Sequence, residues 1–279
     1  MRVRVLGSAA GGGAPQWNCA CPVCRDARRD GRDRTQDTVA VTGDGTAWYL
    51  LNAGPDIRTQ VLRTPELAPG PGLRETPVRG VLLTTAELDH TLGLLSLREA
   101  VRISVYATAT VTHALSTAFP LRPMLGAYTD LDWQDLTAGL VLDGGLLVHR
   151  LTVGTKRPRY AGDTPGEDWV SALRLTDTRS GSSFVYATCL PAWTPAFGTF
   201  VTGADEVLLD GTFTTDDELT RTTGRPGSAQ AMGHLPMAAS HPMTTGYPGT
   251  RFRYGHLNNT NPSLGADIAA DGLELLTDH

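Results

Sequence analysis

The sequence predicts an α/β sandwich, and three observations point to it. Apolar runs of strand length recur along all 279 residues, with helical spacing between some of them. Several of these runs end in residues that can bind a metal: the adjacent pair Asp89 and His90, then Asp210, then His256. Hydrophobic residues make up 41% of the chain, enough to bury a core on both faces of a sheet. The length would fit one large domain or two small ones, and a single domain over residues 1–279 is the simpler expectation.

The elements follow in order. Residues 2–6 alternate charged and apolar side chains and read as the first strand, which Gly7 ends. Residues 38–53 read as a hairpin, because the run TGDGT at 42–46 is a turn signal between two apolar stretches. Gly54 and Pro55 break it, and residues 56–63 have helical spacing. Residues 65–77 are rich in Pro and Gly and read as a loop. Residues 78–84 are the strand that leads to Asp89 and His90. Residues 92–100 read as a helix, with Leu92, Leu95 and Ala100 near one face. A strand over 101–107 and a short helix over 110–118 come next. Residues 139–153 carry strands around a turn at Gly144 and Gly145. Residues 171–176 and 183–188 form a hairpin around Arg179, Ser180 and Gly181. A buried strand over 206–210 ends in a carboxylate, one over 251–256 ends in an imidazole, and 273–276 is a last strand. Strands whose loops carry ligands place side chains along one rim of a sheet.

Composition narrows the function. The formal net charge is −5 with no basic run, which argues against nucleic acid as the main partner. No stretch approaches the roughly 18 consecutive apolar residues of a membrane span. The opening apolar stretch is too short for a signal peptide. The expectation is a cytoplasmic protein without a membrane segment.

Asp89, His90, Asp210 and His256 are the candidate ligands of one ion. A single histidine or aspartate at a strand end is more often a hydrogen-bonding or turn residue. Four such donors at the ends of three strands shift the balance toward a metal. Two histidines with one or two carboxylates match the facial arrangement of mononuclear non-haem iron, and zinc with a bound water is the competing choice.

Cys19, Cys21 and Cys24 lie within six residues. Cysteines this close make strained disulfides, so the cluster reads as a structural zinc site. Its fourth ligand must come from elsewhere, with His234, His256 and Asn259 the positions to examine. Cys189 stands alone and reads as a small buried hydrophobe. His234 sits in a loop reading and is a candidate for moving protons, or else an ordinary loop histidine. His241 has a weaker claim, and His113 and His149 read as structural. Gly11, Gly12 and Gly13 lack the lysine of a phosphate-binding loop and read as a tight turn or a close backbone approach, to a substrate for example.

Several stretches together resemble the pyrroloquinoline quinone (PQQ) biosynthesis protein B family. They are residues 5–19 (VLGSAAGGGAPQWNC), 52–57 (NAGPDI), 63–67 (RTPEL), 88–99 (LDHTLGLLSLRE), 209–212 (LDGT), 232–235 (MGHL) and 256–262 (HLNNTNP). The resemblance implies a metallo-β-lactamase-like αββα sandwich. It also implies a structural zinc at the cysteines and an active metal near Asp89 and His90. The superfamily's metal loop reads His-x-His-x-Asp-His, and this chain has Thr85 and Glu87 where the first two histidines would stand. Dinuclear hydrolases clamp a hydroxide between two ions, and without the first histidine pair a mononuclear site remains. Residues 157–169 and 186–193 depart from the family pattern and could line a substrate pocket.

The resulting expectation is an iron-dependent, oxygen-using hydroxylase. Its substrate would be a small or peptide-derived tyrosine-like phenol, in PQQ or related biosynthesis. Fe2+ would sit at Asp89, His90, Asp210 and His256, and Zn2+ at the cysteines. His234 would assist proton movement, and Asn258, Asn259 and Asn261 would orient ligands or substrate. A single-zinc hydrolase and a non-catalytic quinone carrier are the alternatives, and a homodimer is an assembly this reading allows.

Overall fold

The computed structural model describes residues 1–276. Among the described residues, thirteen strands form two sheets. In chain order the strands of the first sheet are β1 (Arg2–Gly7), β2 (Thr38–Thr42), β3 (Trp48–Leu51), β4 (Val78–Leu82), β5 (Ser104–Ala107) and β6 (Asp132–Asp135). The second sheet holds β7 (Leu140–Leu142), β8 (Leu146–Gly154), β9 (Val170–Asp177), β10 (Ser183–Ala187), β11 (Glu206–Asp210) and β12 (Arg251–Gly255). The last strand, β13 (Glu274–Leu276), returns to the first sheet. Spatial order is β13-β1-β2-β3-β4-β5-β6 in one sheet and β12-β11-β10-β9-β8-β7 in the other. From β3 to β6 the strands are parallel, as are β10, β11 and β12.

The period of two in a strand explains the layers. In β3, Leu50 faces the outer cluster of the first sheet, while Tyr49 and Leu51 face the second sheet. Val5, Val41, Leu82, Leu173, Phe184 and Leu208 fill the space between the sheets. Outside the first sheet, helices α2 (Ile57–Leu62), α4 (Ala109–Ala114) and α5 (Leu121–Leu125) bring Ile57, Val111 and Leu121 onto Leu50 and Val81. Outside the second sheet, α6 (Pro195–Val201) buries Phe197 and Val201 against Val185 and Val207. This is an αββα sandwich. The helices named here lie between α1 (Pro22–Arg29), α3 (Leu88–Thr91), α7 (Glu218–Thr223) and α8 (Met237–Thr244).

The structure departs from the sequence expectation at several elements. The helix expected over 92–100 is instead a 3-10 segment, Leu92–Glu99, which follows the single α turn of α3. The amide of Gly93 donates to Ala53 O at 2.9 Å, which removes it from the α ladder. The loop expected around His241 is α8, and His241 is exposed on it. Helix α1 starts inside the cysteine cluster, with Cys21 as its N-cap and Pro22 in its first turn. Helices α5, α6 and α7 and edge strand β6 were not expected, since each is short and weakly patterned. No helix of the described residues is long and apolar enough to cross a membrane.

Candidate functional site

Parallel pairing brings the C-terminal ends of β10, β11 and β12 to one rim. Asp210 closes β11, and His256 directly follows β12. From the other sheet, β4 runs through residues 83–87 into α3, which carries Asp89 and His90. His256 has φ of 56°, the left-handed region that side chains with a Cβ avoid. Such a conformation costs about 1–3 kcal/mol and tends to persist at functional positions.

Three of the expected ligands meet. His90 Nε2 lies 3.3 Å from His256 Nε2, and His256 Nε2 lies 3.3 Å from Asp89 Oδ2. The other ring nitrogens are held by hydroxyls. Thr85 Oγ1 is 2.7 Å from His90 Nδ1, and Thr212 Oγ1 is 2.9 Å from His256 Nδ1. Asp210 stands one step away from His90. Its Oδ2 accepts from Leu190 N at 2.8 Å and pairs with His234 Nδ1 at 2.8 Å. Its Oδ1 accepts from the amide and hydroxyl of Thr212, at 3.0 and 2.7 Å. Two donor groups result, each with its ligand atoms within 4.8 Å of one another. One is His90, Cys189 and His256; the other is Asp210, His234 and His256.

Charge at the site favours a cation. Burial would raise the Asp89 carboxyl, but the His90 and His256 imidazoles outweigh it and hold it well below the usual carboxylate range. Burial opposes charge on His256 too, yet Asp89, Asp37 and Asp210 push it up to about 9. His90 is lowered, because burial outweighs Asp89. Glu87 is raised by burial and then by Asp89. Asp37 lies beneath the site, 3.8 Å from His90 Nε2, with its Oδ2 accepting from Tyr186 and Thr188. Its Oδ1 is buried without a hydrogen-bond partner. Among the described residues, no lysine or arginine pairs with Asp37, Asp89 or Asp210. Carboxylates without lysine or arginine partners, beside converging imidazoles, fit a divalent transition metal such as iron or zinc.

The second predicted centre is also assembled. The thiols of Cys19, Cys21 and Cys24 lie within 4.8 Å of one another. Asn259 reaches them from the other end of the chain. Its carbonyl oxygen is 3.6 Å from Cys21 Sγ and 3.5 Å from Cys24 Sγ, and its side-chain amide is 3.4 Å from Cys24 Sγ. Of the three positions named for a fourth ligand, Asn259 is beside the thiols, while His234 and His256 belong to the other centre. The donor set suits zinc.

A cavity of about 580 Å³ opens over the imidazoles. His234 and Asn258 line it, together with Lys156, Arg159, Tyr160 and Phe213. Asn261 does not. Its amide donates to Gly211 O at 2.6 Å and its Oδ1 accepts from Ser263 N, so it braces the turn after Asp210 rather than facing substrate. Gly11 borders the cavity, and a Cβ there would sit 3.3 Å from Asp89 Oδ2. Gly12 and Gly13 form the turn, with positive φ. Sequence reasoning missed Asp37 and Thr212, named Thr85 only as a departure from the superfamily pattern, and read Cys189 only as a small buried hydrophobe. A cysteine two residues beyond a parallel strand was the readable signal for the last. Cys189 is half-buried, packs on the outer cluster of the first sheet and lines the cavity.

Known proteins share this fold. The Beta-lactamase superfamily domain matches residues 47–256. Coenzyme PQQ synthesis protein B of Azoarcus sp. (strain BH72) is 41% identical over 300 residues, covering 100% of this chain and 98% of the relative. The protein of that name from Methylococcus capsulatus is 36% identical over 303 residues, covering 99% and 100%. The crystal structure of Zn(2+)-bound PqqB from Methylobacterium extorquens superposes with a TM-score of 0.89 at 33% identity, covering 99% of this chain and 100% of that one. A diphosphatase of the PhnP family, 21% identical with a TM-score of 0.71 over 99% and 98%, shares the fold.

Proposed function

The chain belongs to the coenzyme PQQ synthesis protein B family of the β-lactamase superfamily, and on that premise we propose that it is a metal-dependent enzyme on the route to that quinone. In this reading it hydroxylates the ring of a tyrosine-derived phenol, using one Fe2+ and molecular oxygen. The observation that carries the reading is the convergence of His90, His256 and Asp89, two imidazoles and one carboxylate. That donor set is the facial one of mononuclear iron enzymes. Thr85, in the place of a hydrolase histidine, orients His90 instead of adding a ligand.

Iron bound there would supply one-electron and oxygen chemistry. The chain's own residues would do the rest. Thr85 and Thr212 fix the ligand rings. His234 lines the cavity with Nδ1 tied to Asp210, an arrangement suited to holding or passing a proton. Asn258 offers a hydrogen bond to substrate. Tyr160 and Phe213 give flat apolar walls for a ring, and Lys156, Arg157 and Arg159 supply charge for the carboxylates of a peptide-derived substrate. The cysteine cluster would hold Zn2+ with the Asn259 oxygen and pin its loop.

Protein purified without oxygen should contain about one zinc and one iron per chain. With iron it should consume oxygen when given tyrosine-type phenols. If Asp89→Ala or His256→Ala leaves both iron content and oxygen uptake intact, the reading is wrong. The group Asp210, His234 and His256 favours a second reading, a zinc hydrolase. Turnover of ester or phosphodiester substrates with zinc, and none with iron and oxygen, would establish it.

A further inference from the structure

We propose that Cys189 is a thiolate ligand of the active-site ion, completing a donor set with Asp89, His90 and His256. The inference rests on the metal-enzyme reading above and extends its ligands. Strands β10, β11 and β12 are neighbours and parallel, so their C-terminal ends lie side by side. Each delivers a donor at that rim: β12 gives His256, β11 gives Asp210, and β10 gives Cys189 two residues past its last residue. Cys189 Sγ lies within 4.8 Å of donor nitrogens of both His90 and His256.

The backbone on either side of Cys189 is fixed by the site's own carboxylates. Thr188 Oγ1 donates to Asp37 Oδ2 at 2.7 Å, and Leu190 N donates to Asp210 Oδ2 at 2.8 Å. This bracketing positions the thiol as ligand side chains are positioned in metal sites. Sγ makes no hydrogen bond among the described residues, although the side chain also touches the apolar cluster behind it. Asp210 is the competing donor, and it is already occupied. Each of its oxygens has two hydrogen-bond partners, which leaves little lone-pair capacity for an ion beside His90. On ligation the S–H bond breaks, the sulfur–metal bond forms and the proton leaves to solvent. A thiolate would bias the site toward iron, cobalt or zinc over magnesium or manganese.

The test is Co2+ titration of protein whose cysteine cluster retains one zinc, verified by elemental analysis. Wild type should bind one cobalt and develop a near-ultraviolet thiolate-to-cobalt charge-transfer band. Cys189→Ser should lose the band and bind cobalt at least about tenfold more weakly. Cys189→Asp should regain affinity without the band, which separates ligation from a structural role. A wild-type complex with one cobalt and no band overturns the proposal, as does an unchanged band in Cys189→Ser. If the variants do not fold, wild-type protein alone decides. In protein whose only zinc is at the cysteine cluster, iodoacetamide should label Cys189 and fail to do so once cobalt is bound. Labelling at an undiminished rate with cobalt bound refutes ligation. The two readings fail separately. Iron-dependent oxygen uptake without a cobalt–thiolate band removes Cys189 alone, and a band without oxygen uptake removes the hydroxylase alone.

Discussion

Thr85 Oγ1 lies 2.7 Å from His90 Nδ1, with both side chains buried. The superfamily pattern has its first histidine at this position. Under the proposed metal reading, the Thr85 hydroxyl would aim the His90 ring at the ion. Thr85→Val keeps the shape and removes the hydrogen bond. Metal affinity at the open site should fall about 10- to 100-fold, the usual cost of losing such a partner. Competition against a chelator measures it, and unchanged affinity would show that packing alone orients the ring.

The cysteine cluster joins the start of α1 to Asn259, across 235 residues of chain between Cys24 and Asn259. Cys21→Ser should therefore lose zinc and also loosen the segment after His256. Thermal unfolding should drop by about 6 °C or more, given roughly 2–4 °C per kcal/mol in a chain of this size. Chelation of wild-type protein should reproduce the drop, and a chelator-resistant midpoint would argue against structural zinc.

Asp44 shapes the turn between β2 and β3. Its carboxylate accepts from Ala47 N and Thr46 N, both at 2.8 Å, and from the hydroxyls of Thr46 and Thr42. Burial alone would raise its pKa, but the amides of Ala47 and Thr46 and then the hydroxyls outweigh it and bring it down to about 2. A depressed folded pKa means stability that is present above the ordinary aspartate range and lost as pH falls through about 2. Asp44→Ala should cost about 1 kcal/mol at neutral pH, the modest value expected for hydrogen bonds at an exposed turn. The gap between wild type and variant in urea unfolding should close as pH falls from 5 toward 2. A gap independent of pH would mean the charge is irrelevant there.

Arg159 lines the cavity and has no ion-pair partner among the described residues. If it meets a substrate carboxylate, Arg159→Ala should raise KM about tenfold with kcat within about twofold, the signature of lost uniform binding. Metal content should not change. A fall in kcat at constant KM would place Arg159 in the chemical step instead.

Much of the fold was readable because strands and turns are written locally. The run TGDGT specifies a hairpin through Asp44, and the apolar run from Trp48 to Leu51 marks a buried strand. The short helices were not readable, since four to eight residues carry little periodic signal and tertiary packing stabilises them. In the 92–100 segment the Gly93 amide bonds to Ala53 O, a contact from far along the chain that no local pattern announces.

At the site the division is similar. The sequence by itself determined which residues could be donors: Asp89 beside His90, Asp210 and His256 at strand ends, and three cysteines spaced for one ion. Chemical type and short-range spacing are enough for that. Only the tertiary structure decided which donors meet. His90 and His256 are 166 residues apart and touch because the two sheets pack face to face and bring their loop ends together. The same packing ties Asp210 to His234, turns Asn261 away from the cavity, sets Thr85 behind His90 and brings Cys189 to the imidazoles. Distances across a sandwich depend on strand order and register, which no local run of residues encodes.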